Sequence, residues 1–425
     1  MVFSTMSRIF SVKLGALALA SLTLVGAAAA WPDLRDDRPP DLGDCQQLQV
    51  APGNKVALQV LGVGTQNYQW DGATWKFVAP EATLYANEGQ NGVVGTHFGG
   101  PTWQSNSGST VVGTVLDKCT PDPDSIPWLL LGAAETTGPG IFEDVTYIQR
   151  LNTKGGNAPT TPGAAVGDIA KVPYRADYVF YRRAGSSRPV VFSVGGDSTP
   201  ASIQAKVDEF RVALTAPNNA NKPGPLQFGR REINWDGGGS TATSPGGTPF
   251  NVFLNTRGAQ FTTPGTGFVQ APAAGGANGG LQTFFNNPTY GTTFKAFSPT
   301  RLFVPVGSNV TDAVFFVPGT NGTVRAGVRG FGAVFTDVDL ANSTHLEFFD
   351  INDNSLGSYD VPPGTVADGS LSFLGVIFNE RTLIGRVRIT TGTAPLGGND
   401  DPANGVDIVA MDDFLYSEPV AIPTP

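Results

Sequence analysis

Short apolar runs with a two-residue period, cut by glycine- and proline-rich turns, recur along this 425-residue chain from about residue 45 to residue 418. Successive side chains of a strand point to opposite faces, so this pattern describes strands with one buried side. Tyr174–Arg183 is a clear case: Tyr174, Ala176, Tyr178 and Phe180 share one face, and Arg175 and Asp177 fall on the other. With 54 Gly and 33 Pro and no G-X-Y period, the punctuation reads as many turns and long loops rather than collagen. Runs spaced by roughly 8–12 residues argue for a sandwich or barrel, not for βαβ units.

The expected fold class is all-β: two tandem β-sandwich or jelly-roll-like domains with one short connecting helix. Residues 45–183 form the first domain, 184–219 a linker and 220–418 a jelly-roll-like second domain, with a tail at 419–425. The linker helix is expected over 200–214, where Pro200 suits a helix start and Ile203, Val207, Phe210 and Leu214 repeat at helical spacing. Asp350–Ser355, between two strand-like runs, reads as a hairpin turn.

The N-terminus reads as a signal peptide over residues 1–30. Arg8 and Lys13 precede the apolar stretch Leu14–Val25, and Ala28, Ala29 and Ala30 offer a cleavage site before Trp31. A Pro-rich flexible leader, 31–44, follows. That stretch is short for a membrane span, and no other is long and apolar enough to be one, so no transmembrane segment is expected after cleavage. The expected location is secreted, periplasmic or in the cell envelope. Cys45 and Cys119, the two cysteines, suggest one disulfide in such a compartment, closing a loop of about 75 residues. The net charge of −9 is spread along the chain without a basic stripe, which argues against nucleic acid as a partner.

Residues 58–183 carry GVGTQNYQW (62–70), VGTHFGGPTWQ (94–104), IPWLLL (126–131), VTYIQRLNTKGGNAP (145–159) and VPYRADYVFYR (172–182). In that order they resemble an exported-protein family known as domain of unknown function 3455, which implies no particular activity. Gln104 and Ser107 stand where the family tends to show acids, and Ala164 where it tends to show cysteine. The later segments GRREINWDG (229–237), RGFGAVFTDVDL (329–340) and VDIVAMDDFLY (406–416) are similar to jelly-roll modules of bacterial surface and matrix proteins, a resemblance that implies a structural calcium ion as the one cofactor to consider.

Candidate sites are few. His97, Trp103 and Gln104 are the ligand-binding candidates, an imidazole and an aromatic wall beside a Gly-Gly-Pro loop. Asp400, Asp401, Asp407, Asp412 and Asp413 fall within 14 residues and offer the hard oxygen ligands that Ca²⁺ takes. Asp337 and Asp339, two apart on an expected strand, with Glu347 near in sequence, are a carboxylate pair for glycoside chemistry. No G-x-S-x-G elbow is present. Three readings stand open: a non-catalytic protein binding a glycan or cell-surface component, a hydrolase of a glycan or ester acting through carboxylates or His97, and a purely structural matrix protein.

Overall fold

The computed structural model describes Met1 and residues 39–422, except positions 87, 91, 186–188, 237–246, 277 and 380–381. The expected signal peptide, Met1 apart, and residues 31–38 of the leader lie outside the described residues. Eight strands come first: β1 (Asn54–Trp70), β2 (Trp75–Tyr85), β3 (Val93–Phe98), β4 (Thr102–Ser105), β5 (Thr110–Cys119), β6 (Trp128–Thr137), β7 (Tyr147–Gly155) and β8 (Ile169–Arg183). Each pairs antiparallel with the next, and β1 also pairs with β8, so the sheet closes into a barrel. The all-β class holds; within it, the first domain is a closed barrel rather than two facing sheets. Closure removes the free edges that an open meander would expose. The face expected from the period of β8 points inward, where Tyr174, Ala176, Tyr178 and Phe180 are all buried. Gly62 on β1 makes room for one of them: a Cβ there would stand 2.5 Å from the Tyr178 ring.

Outside the barrel wall, Leu42, Cys45 and Leu48 pack on Val56, Val179 and Tyr181. Gln149 Nε2 donates to the Leu48 carbonyl at 2.7 Å, and Tyr181 Oη donates to Gln149 Oε1 at 2.5 Å. A Cys45–Cys119 disulfide, with Cα atoms 5.7 Å apart, fastens this segment to the end of β5. The last residues of the expected leader are therefore seated: Leu42 is buried.

The segment expected as a linker holds more than a helix. It contributes β9 (Val190–Gly195), which pairs with a strand nearly 180 residues later, and then α1 (Ala201–Leu214). The remaining strands are β10 (Arg230–Ile233), β11 (Ala259–Thr262), β12 (Gly267–Ala271), β13 (Leu302–Val306), β14 (Val310–Phe316), β15 (Arg325–Gly327), β16 (Gly330–Thr336), β17 (His345–Asp350), β18 (Ser355–Asp360), β19 (Leu371–Ile377), β20 (Ile384–Thr390), β21 (Ala410–Ser417) and β22 (Val420–Ala421). They form two seven-stranded sheets. One runs β12-β13-β21-β16-β19-β9 with β10 beside β21; the other runs β18-β17-β20-β14-β15-β22 with β11 beside β14. Phe331, Phe335 and Phe414 of the first sheet meet Phe315, Leu346, Phe348 and Val387 of the second in a shared core, which makes a sandwich.

The first sheet is buried on its other face too. There α1 lies between sheet and barrel, and Ile203, Val207, Phe210 and Leu214 join Phe192, Phe373 and Leu415 with Trp103, Phe142 and Phe180 in one apolar cluster. Gly332 and Gly375 permit the close approach: a Cβ on either would stand under 3 Å from the Phe210 ring. Among the described residues no helix is long and apolar enough to cross a membrane.

Candidate functional site

His97 on β3 and Trp103 on β4 are register partners, and their rings stack at 4.3 Å between centroids and 8° between planes. Tyr178 meets both edge-on. His97 is only 3% exposed, and its Nδ1 lies 2.9 Å from the Thr102 carbonyl oxygen. Burial pushes its pKa down to about 3 against the partial support of that carbonyl. Gln104, one residue past Trp103, points to the opposite face of the strand and is half-buried. The three ligand-binding candidates therefore do not converge: two fill the barrel, and the third looks outward.

The five C-terminal aspartates also separate. Asp412 and Asp413 are buried in β21. Asp412 accepts from the Phe297 backbone N–H at 2.6 Å; Asp413 accepts from Ser298 Oγ at 2.6 Å and faces Arg211 at 3.5 Å. Burial raises the pKa of both, with Asp413 adding to the rise at Asp412. These two hold the 297–298 segment against β21. Asp401 accepts from Asn404 Nδ2 at 2.7 Å across a local turn. Asp407 accepts from the backbone N–H groups of Asp339 and Leu340, both at 3.3 Å, and from Ser343 Oγ.

Asp400 has different company. One of its oxygens and one each from Asp337 and Asp339 lie within 4.8 Å of one another, close enough to share one metal ion. The expectation that Asp337 and Asp339 share a strand face does not hold. β16 stops at Thr336, and Asp337 takes a left-handed φ of 70°, which turns the chain. Asp337 is 0% exposed, so no substrate reaches it as a glycosidase carboxylate. Its Oδ1 accepts from the Gly369 N–H at 2.9 Å, while its Oδ2 is buried with no hydrogen-bond partner; Asp339 Oδ2 is in the same state. Burial, then the neighbouring aspartates, push Asp337 up to about 9 and Asp339 up to about 7. Asp400 is raised by burial, with Asp407 and Asp368 adding to the effect. Glu347 lies apart on β17, its register partner on β20 being Arg388.

A buried ionic cluster at the barrel–helix junction has no counterpart in the sequence expectations. Lys206 Nζ donates to Glu209 Oε2 at 2.9 Å, Ser107 Oγ at 2.8 Å and the Pro139 carbonyl at 3.0 Å. Glu209 also accepts from Ser109 Oγ at 3.0 Å and the Ile141 N–H at 2.7 Å. Ser107, where the resembling family tends to show an acid, is thus part of the clasp between barrel and α1. The GRREINWDG segment is structural as well. Arg231 pairs with Glu418 through two 2.6 Å contacts, and Trp235 stacks on Phe303 at 3.8 Å while donating to the Asp412 carbonyl at 2.9 Å.

What the fold and these sites define is a disulfide-bonded all-β protein in which His97 and several of the candidate aspartates are turned inward. Residues 51–182, the barrel, match a family described as "Protein of unknown function (DUF3455)". No curated protein matches the chain. Among solved structures it aligns with an insecticidal delta-endotoxin of Bacillus thuringiensis at 9% identity and a TM-score of 0.13, over 90% of this chain and 56% of that one.

Proposed function

We propose that the protein works outside the cytoplasm by binding a glycan or another cell-envelope component, without catalysing a reaction on it. The observation that carries this reading is an apolar rim at one end of the barrel. There Trp70 and Trp75, opposite each other in the β1–β2 register, hold their rings 5.4 Å apart and half-buried. Phe77 (54% exposed) and Ile169 (56%) come from the neighbouring ends of β2 and β8, and Val166 (75%) from the turn before β8. Side chains this apolar, held on paired strands and left in water, are typical of contact surfaces, and an indole offers an apolar face to a sugar ring, the Trp75 Nε1–H being held by the Thr161 carbonyl at 2.9 Å. The disulfide supports an oxidising compartment. The burial of His97 argues against its acting as the general base of a hydrolase.

Pull-down of the mature protein on envelope fractions and cell-wall polysaccharides tests the reading. Phe77→Ser and Val166→Ser are expected to lose most of the binding while melting close to the wild type. Retention in an insoluble matrix without glycan binding would favour the purely structural alternative. Turnover of a polysaccharide, or a cytosolic protein with both thiols reduced, would overturn the proposal.

A further inference from the structure

We propose that Asp337, Asp339 and Asp400 form a Ca²⁺ site that ties the segment before β21 to the end of β16. The inference is independent of the binding reading above. Three observations carry it. The three carboxylates offer oxygens within 4.8 Å of one another; two oxygens on one ion at 2.3–2.6 Å can be no more than about 5 Å apart. Asp337, which contributes an oxygen to this cluster, is fully buried, and its Oδ2 has no hydrogen-bond donor. A buried carboxylate oxygen with no donor is costly unless a cation or a proton neutralises it. Finally, among the described residues no lysine or arginine is ion-paired with Asp337, Asp339, Asp400 or Asp407, although the like charges of these acids and Asp368 repel one another.

The surrounding backbone holds the carboxylates together. The left-handed turn at Asp337 brings Asp339 back toward Asp400. Asp407 fixes the backbone N–H groups of Asp339 and Leu340, and the Ile408 N–H donates to Asp400 Oδ1 at 2.9 Å. Oxygen-only donors from carboxylates select a hard cation, and Ca²⁺ tolerates irregular geometry where Mg²⁺ requires a near-ideal octahedron. Water completes the six to eight ligands that Ca²⁺ takes.

The full mature chain, stripped with EDTA, is titrated with CaCl₂ by calorimetry and its melting is followed in parallel, with MgCl₂ as comparator. One Ca²⁺ per chain and a melting point that rises with Ca²⁺ more than with Mg²⁺ are expected. Asp339→Asn and Asp400→Asn should weaken Ca²⁺ binding by about tenfold or more. In EDTA each should melt at or above the wild type, because the substitution relieves carboxylate crowding. Asp401→Asn, one residue from the site but turned to Asn404, should bind as the wild type does. No heat and no melting shift in the wild type would overturn the inference, whatever the variants do. So would unchanged affinity in both Asp339→Asn and Asp400→Asn, or a loss in Asp401→Asn equal to theirs.

Discussion

An imidazole stacked on an indole inside a barrel has no room for water to solvate a charge, and His97 is therefore held neutral in the folded state. Its pKa falls from 6.5 in the unfolded chain to about 3 in the fold. The unfolded chain takes up the proton first, so the stability linked to this residue is complete above pH 6.5 and is lost as pH falls toward 3. At pH 4 the loss is about 3 kcal/mol. His97→Gln lacks this proton uptake. Urea unfolding of wild type and variant should thus show a stability gap that narrows by about that amount between pH 7 and pH 4; parallel curves would mean that the imidazole is solvated. The sequence sets His97 and Trp103 on either side of a Gly-Gly-Pro turn, and in the structure that turn joins the paired strands β3 and β4. Whether that pair faced ligand or core was not legible. The answer depends on Tyr178, a residue 75 positions beyond Trp103, packing against both rings. The Asp337–Asp339–Asp400 cluster was half legible: each acid stood out in the sequence, but the aspartates were grouped by proximity along the chain. A left-handed residue at the end of β16 regroups them in space.

At the scale of elements, local signals proved dependable. The helix expected over 200–214 is α1 (Ala201–Leu214), and its four spaced apolar residues are all buried. The DINDNS segment is the turn between β17 and β18, where Asp350 Oδ1 accepts from the N–H groups of Asn352 and Asn354. Elements defined by distant partners were not legible. β9 has the length and composition of a loop-flanked linker run, and it becomes a strand because β19 offers it a sheet edge. Barrel closure rests on β1 finding β8, more than 100 residues away in sequence. How α1 is fixed yields a prediction. Lys206 and Glu209, both nearly fully buried, bond the helix to loops of the barrel. Lys206→Met would leave Glu209 without its cation and should cost about 3–5 kcal/mol in denaturant unfolding. The double variant Lys206→Met/Glu209→Met should cost less than the sum of the two single changes, since neither member of the ion pair is left without the other. Additive losses would show that the two charges are not coupled.

For the whole molecule, the decisive feature is that the barrel's core runs on through α1 to the outer face of the sandwich, whose own core between the sheets is separate. Apart from the N-terminal segment ending at Pro32, the chain is one compact unit, and the cluster around α1 joins Trp103 and Phe180 of the barrel to Phe373 and Leu415 of the sandwich. Phe210 sits at its centre, edge-on to Phe192 and Phe373 and seated over Gly332 and Gly375. Truncating it opens a cavity that packed strands on one side and a packed barrel on the other cannot collapse to fill, so Phe210→Ala should cost about 3–5 kcal/mol. The cost should fall on both halves at once. Trp103 in the barrel and Trp235 in the sandwich, each wholly buried, can report separately when the other tryptophans are replaced one set at a time. In the wild type the two signals should trace a single thermal transition, and in Phe210→Ala they should move down together. If the Trp235 transition shifted while the Trp103 transition stayed in place, the helix would belong to the sandwich alone, and the barrel would be an independent folding unit set beside it.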